Sequence, residues 1–209
     1  MLKLCPARAG ERVEPDAIRD FFARHLDDQR LVQAVASVAP FAKSKADRAA
    51  WLAGIWSGPA RRNAFTHVLC GDDLDRDKFG GLHLEARYAQ LESEGKICYG
   101  GPARGGEPCS GGQCTIRFRG VSGFSCAVKD VGGFAQGLDA LDLLIAGTRA
   151  YQSCCMGGGP AVLDQAGRVR DGGKYKGPKG ITFQIWCGER NGAPGIATFY
   201  PVDGAPDCR

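Results

Sequence analysis

Ten cysteines spread over 209 residues constrain this chain more than any other feature. They stand at Cys5, Cys70, Cys98, Cys109, Cys114, Cys126, Cys154, Cys155, Cys187 and Cys208. An even number distributed along the whole length reads as disulfides formed in an oxidising compartment, because a reducing cytosol keeps thiols free. Zinc is the weaker reading: no Cys-x2-Cys pair occurs, and His67-x2-Cys70 is half a site without a second half. Cys5 and Cys208, near the two ends, read as staples. Spacing does not fix the pairing, although Cys154 and Cys155 are expected to reach different partners, since adjacent residues bridge only with strain.

The hydrophobic content of 44% is enough for a packed core, so disorder is not the expectation. The 31 glycines are about twice ordinary usage; they imply many turns and close backbone approaches, which suits an α+β chain better than a helical bundle. A net charge of +4 permits a polyanionic ligand without requiring one. No stretch approaches the ~18 apolar residues of a membrane span, and the opening MLKLCPARAG lacks the apolar run of a secretory signal. The expected location is therefore secreted or periplasmic, with the signal already removed or the chain released from a larger polypeptide. In that case Met1 is an added start.

From Glu14 to about Trp56 the apolar residues recur at helical spacing: Ile18, Phe21, Phe22 and Leu26, then Leu31, Val32, Val35 and Val38, then Ala49, Leu52 and Ile55. Breaks at Pro40 and Gly58-Pro59 divide them into two or three short amphipathic helices. After Arg61 the texture changes. Phe65–Leu69 reads as a strand and Leu82–Leu91 as a helix with Leu84, Tyr88 and Leu91 on one face. Residues 100–114 read as irregular. Strands are expected at 115–118, 124–128, 161–163, 181–187 and 196–200, and a helix at 135–151. The pattern predicts an α+β chain: a helical N-terminal lobe over residues 1–60, then a domain over 61–209 of antiparallel sheets packed with helices.

Three histidines occur, His25, His67 and His83. His25 lies inside a helical pattern and reads as a surface or partly packed residue. His67 sits in FTHVLCGDD, and His83 follows a glycine pair in FGGLHLEARY, where backbone N–H groups at a helix start can face an anion. Lys129, in FSCAVKDVGG, is placed at a strand end. Singly each is ordinary. Together, two imidazoles and an ammonium are the parts that cleave RNA without a metal-activated water. One His takes the 2′-hydroxyl proton, the other protonates the departing 5′-oxygen, and Lys stabilises charge at phosphorus. Imidazole suits both proton transfers because it titrates at about 6.5 in water.

The local contexts carry a resemblance. FTHVLCGD followed by GGLHLEARYAQLESEGKICY resembles the paired-histidine signature of the EndoU (XendoU-like) family of poly(U)-preferring endoribonucleases, which has bacterial toxin relatives. VKDVGGFAQGLDALDLLIAG resembles the family's lysine-bearing segment and the helix after it, and GIATFYP resembles its Thr-x-Tyr-Pro strand. These motifs, in order over roughly residues 64–201, imply catalytic roles for His67, His83 and Lys129 and nucleotide contacts by Thr198 and Tyr200. Residues 1–60 carry no resemblance.

The resemblance implies transesterification of single-stranded RNA near uridines, ending in a 2′,3′-cyclic phosphate and a 5′-hydroxyl. By analogy His83 is the base and His67 the acid, an order the sequence leaves open. Gly81 could offer its N–H to the phosphate. Where family members typically carry a serine associated with uracil selection this chain has Gly133, which puts strict uridine preference in question. The cysteine-rich segment from Cys98 to Cys126 and a basic loop with Lys174, Lys176 and Lys179 depart from the family pattern; that loop is a candidate for holding RNA phosphates. No cofactor is required by this reading, although some family members respond to manganese, so stimulation by Mn2+ is consistent with it. RNA is the expected substrate, and a toxin of this kind would have a cognate immunity protein as partner. The alternatives are a non-catalytic RNA-binding module on the same scaffold and a disulfide-rich extracellular protein whose histidines are incidental.

Overall fold

Pro15 opens the first helix, α1 (Pro15–His25), with its ring-fixed φ suited to the first helical position. Ile18, Phe21 and Phe22 are buried along one face. The Asp28 carboxylate accepts the Arg30 N–H and starts α2 (Gln29–Val38), whose Leu31, Ala34, Val35 and Val38 point inward. In front of α3 (Lys45–Ser57), Ser44 Oγ accepts from Asp47 N–H at 3.0 Å while Asp47 Oδ2 accepts from Ser44 N–H at 3.2 Å, a reciprocal cap. Of the two or three helices expected before residue 58, three form. The computed structural model describes residues 2–6, 11–57, 63–72, 80–102, 109–120, 128–156, 161–163, 169–190 and 193–208. At residues 2, 98–102, 116–120, 128–132, 161–163, 169–171, 190 and 193 it describes the backbone alone.

Two antiparallel sheets follow, and the chain is α+β. The first contains β1 (Ile97–Pro102), β2 (Cys109–Ser110), β3 (Gln113–Gly120) and β4 (Val128–Ala135). Strand β3 is its centre, with β1 and β2 along one edge and β4 on the other. The second is a meander of β5 (Ala161–Leu163), β6 (Val169–Lys176), β7 (Thr182–Arg190) and β8 (Ala193–Pro201). Helix α4 (Glu85–Ser93) precedes the first sheet, and α5 (Ala140–Tyr151) links the two. Asp139 caps α5 through a reciprocal bond with Asp142.

One apolar core runs from α1 through α3 and α5 to β7 and β8. Trp56 is fully buried in it and its Nε1–H donates to Thr148 Oγ1 of α5 at 3.1 Å. A Cβ at position 147 would lie 2.7 Å from the Trp56 ring, so glycine there lets the indole pack flat on α5. Phe183 and Phe199 stack across β7 and β8 with centroids 4.6 Å apart. A smaller cluster of Leu82, Tyr88, Leu91, Ile97, Cys114 and Phe134 joins α4 to the first sheet.

Among the described residues, four disulfides connect Cys5 to Cys70, Cys109 to Cys114, Cys154 to Cys208 and Cys155 to Cys187. The adjacent pair at 154 and 155 does reach two partners, and both end-proximal cysteines are bridged into the body. Cys126 and the Cys98 side chain lie outside the described residues. No helix among the described residues is long and apolar enough to cross a membrane.

Several local expectations are corrected. Phe65–Leu69 is not a strand: Thr66–Cys70 is a π turn, wholly buried, in which Gly71 N–H donates to Thr66 O at 2.9 Å. A short apolar run carries no periodicity to separate strand from helix, and here the surrounding core decides. Residues 100–114 are partly regular, since Cys109–Ser110 and Gln113 onward form a hairpin around Gly111 and Gly112, both at positive φ. Lys129 is the second residue of β4, opposite Phe118, so it stands where a strand begins rather than where one finishes; of the expected 124–128 strand only Val128 is described. Helix α5 starts at Ala140 because β4 runs through Ala135. Strand β6 was not foreseen, and it takes up Lys174 and Lys176 of the supposed basic loop. Lys179 sits in the following turn, where its ammonium donates to the Gln136 and Gly137 carbonyls at 3.2 and 2.9 Å, so it is engaged in joining this turn to the β4–α5 connection.

Candidate active site

His67 is placed by its turn. Its N–H donates to Asn63 O at 2.8 Å, and its carbonyl accepts from Leu82 N–H at 2.7 Å. His83 N–H in turn donates to Val68 O at 2.7 Å. The segment Gly81–His83 therefore runs along the π turn, which brings two histidines distant in sequence side by side. Such contact needs glycine at 81. Its φ is +65°, and a Cβ there would sit 1.8 Å from the His67 carbonyl oxygen. Leu82 also has positive φ, 63°, a costly conformation for a branched residue. The turn is reinforced by Tyr88, whose hydroxyl donates to Leu82 O at 2.5 Å. Burial raises the Tyr88 phenol above its ordinary range, so it remains a donor.

The two rings lie 6.0 Å apart, centroid to centroid, inclined at 65°. Both side chains are buried, with 5% and 7% exposure. His67 Nδ1–H donates to Asp72 Oδ2 at 2.6 Å. Asp72 is itself fixed by paired backbone bonds with Gly80 at 3.0 and 3.2 Å. His83 Nδ1–H donates to the Gly133 carbonyl at 2.7 Å. A carbonyl only accepts, so the neutral His83 ring must carry its proton on Nδ1 and its lone pair on Nε2. The carboxylate beside His67 accepts from Nδ1 and so favours the same tautomer. Two oriented imidazoles this close can act as base and acid on opposite sides of one reacting group.

The second sheet closes the site. Tyr200 of β8 stacks on His83 with centroids 5.3 Å apart and planes 26° from parallel. Trp186 Nε1–H donates to the Tyr200 hydroxyl at 3.2 Å. Thr198 pairs with Trp186 across the ladder, and its Oγ1 is buried with no hydrogen-bond partner among the described residues. Gly133 of β4 lies close to Pro201 at the end of β8: a Cβ at 133 would be 3.7 Å from Pro201 and 3.4 Å from the Cys114 carbonyl. Six of the seven residues singled out from the sequence, Gly81, His67, His83, Gly133, Thr198 and Tyr200, thus gather where the π turn meets the seam of the two sheets. Lys129 shares β4 with Gly133; its side chain lies outside the described residues. His25 is elsewhere, on α1, bonded through Nδ1 to Phe21 O and stacked on the Phe21 ring.

Sequence reasoning missed Asp72 and Trp186. The carboxylate five residues past His67 in FTHVLCGDD was visible, but a strand assignment points it away from the ring. Trp186 becomes relevant only through its register with Thr198, which no local pattern gives. Among the described residues no group of three His, Cys, Asp or Glu is arranged to hold a metal ion.

A family model described as the bacterial EndoU nuclease matches residues 61–203. No curated protein matches the chain. Among solved structures, XendoU, described as a splicing-independent snoRNA processing endoribonuclease, is similar at 19% identity with a TM-score of 0.61, over 96% of this chain and 74% of its own. That coverage takes in the helical lobe as well, and at this identity it speaks for the fold. The endoribonuclease Nsp15 of Middle East Respiratory Syndrome Coronavirus matches at 20% identity and a TM-score of 0.42, over 66% of this chain. The chain spans about a third of the length of that coronavirus protein, 33%.

Proposed function

The chain belongs to the bacterial EndoU nuclease family, and from that membership we propose that it cleaves single-stranded RNA through the ribose 2′-hydroxyl. The observation that carries this reading is the histidine pair, 6.0 Å apart with each Nδ1–H donated to a fixed acceptor. His83 takes the 2′-hydroxyl proton on Nε2. The 2′-oxygen bonds to phosphorus, the P–O5′ bond breaks, and His67 delivers a proton to the departing 5′-oxygen. The products are a 2′,3′-cyclic phosphate and a 5′-hydroxyl. Asp72 supports the role given to His67, since its carboxylate accepts from Nδ1 and orients the ring with Nε2 toward the reacting group. Lys129, on the same strand as Gly133, is assigned to stabilising charge at phosphorus, and Gly81 to the backbone beside it.

Thr198 and Tyr200 are assigned to the nucleotide. The buried Thr198 hydroxyl has an unfilled bonding requirement that a base edge would satisfy, and Tyr200 offers an aromatic face. Gly133 offers no hydroxyl there, so cutting near uridines is expected with relaxed preference. Both proton transfers are assigned to imidazole, so the reaction requires no cofactor, and stimulation by Mn2+ is compatible with it. The disulfides among the described residues favour an exported protein, secreted or periplasmic; a toxin role, with a cognate immunity protein as partner, is proposed on the family resemblance alone. Residues 1–60 are proposed as a helical lobe on a catalytic domain of residues 61–209.

Incubation with a mixed-sequence RNA, with and without EDTA, followed by end-group analysis tests the reading. Cyclic-phosphate ends in both conditions support it. Cutting of DNA or of 2′-O-methyl RNA at comparable rates contradicts it. His67→Ala, His83→Ala and Lys129→Ala should each lower turnover by ~10² or more, as loss of a proton-transfer or charge-stabilising group does.

A further inference from the structure

The π turn bearing His67 is gripped at both ends by the N-terminal segment. At its far end Cys70, 1% exposed, is bridged to Cys5. At its near end Val13 N–H donates to Thr66 Oγ1 at 3.0 Å, and Asn63 Nδ2–H donates to Val13 O at 2.9 Å. Asn63 also accepts from Thr66 N–H through Oδ1 at 2.9 Å. The turn is only 5 residues long, and an isolated π turn has little stability of its own. Cys70 moreover lies between His67 and Asp72 in the chain, so its bridge anchors the stretch that separates an imidazole from its carboxylate.

We propose that Cys5, Cys70 and Val13 are positioning residues for the reaction above: they hold the π turn so that the His67–Asp72 pair faces His83, and opening the Cys5–Cys70 bridge lowers turnover reversibly. The term turnover rests on the proposed RNA cleavage; the positioning itself rests on the contacts just given. A dithiol opens the bridge by thiol–disulfide exchange. The sulfur–sulfur bond breaks, Cys5 and Cys70 gain two electrons and two protons as thiols, and the dithiol closes to its cyclic disulfide. An oxidised dithiol restores the bridge. No other described disulfide ends on an element that carries a proton-transferring group.

A purely stabilising bridge would shift the melting temperature and leave the folded site as it is. The paired variant Cys5→Ser/Cys70→Ser separates the two roles when compared with Cys154→Ser/Cys208→Ser below both melting temperatures. The readouts are the downfield proton resonance of His67 Nδ1–H, short-bonded to Asp72, and steady-state kinetics. In the first variant the resonance should vanish or broaden and kcat should fall by about tenfold to a hundredfold with KM unchanged, as a small misplacement of a reacting group does. The second should keep both. A wild-type spectrum without the resonance, its survival in the first variant, or equal losses in both variants overturns the proposal. If the serine pair does not fold, Thr66→Val carries the same test with the bridge intact, because it removes only the hydroxyl that receives Val13. A wild-type protein that shows the resonance and cuts no RNA would refute the proposed reaction while leaving the spectroscopic test of positioning decisive.

Discussion

A methyl group on Gly81 would lie 1.8 Å from the His67 carbonyl oxygen, at a φ of +65° that side chains rarely adopt. Gly81→Ala should therefore push the His83 segment off the π turn. The expected cost is about 2 kcal/mol or more, a melting temperature lower by roughly 5 °C, and loss of activity greater than the stability loss explains; calorimetry and kinetics on one preparation check both. Asp72→Asn keeps the size of the side chain but removes the charge and lets an amide N–H face Nδ1. It should lower kcat by about 10²–10⁴ with little change in KM, read by single-turnover cleavage. The histidines and the glycine were legible in the sequence because their types are rare and their neighbours distinctive. Asp72 was not, since its partnership depends on a turn of π-helix that a five-residue apolar run does not announce.

At the scale of elements, helices with caps and long periodic faces were readable and the irregular connections were not. Helix α1 announces itself through Pro15 and the Ile18–Phe21–Phe22 spacing. Strand β6 carries VRDGGKYK, with no alternation of apolar and polar residues, and is recognisable only once β7 pairs with it from Gly172 to Lys176. The start of α5 depends on Asp139, whose carboxylate accepts from Asp142 N–H at 2.7 Å. Asp139→Ala should remove about 1 kcal/mol of stability and lower the melting temperature by roughly 3 °C without altering cleavage, because α5 touches the site only through the strands it supports. A change in kcat larger than the change in folded fraction would refute that separation.

For the whole molecule, the disulfides join segments at very different separations, 65 residues for Cys5–Cys70 against 5 for Cys109–Cys114. Chain-entropy arguments give the first about 4 kcal/mol and the second about 2 kcal/mol. Denaturant unfolding of the paired serine variants should rank them in that order. The even count of cysteines foretold bridging, but the partners follow from the packing of α5, β7 and the chain ends, which spacing does not encode. The candidate site residues come from four separate stretches, and the last of them in the chain holds Thr198 and Tyr200 on β8. Synthesis proceeds from the N-terminus at about 5–20 residues per second. A nascent chain still short of β8 holds both imidazoles but lacks the strand that stacks on His83, so the face proposed to meet the base is completed only once residues 193–201 have emerged.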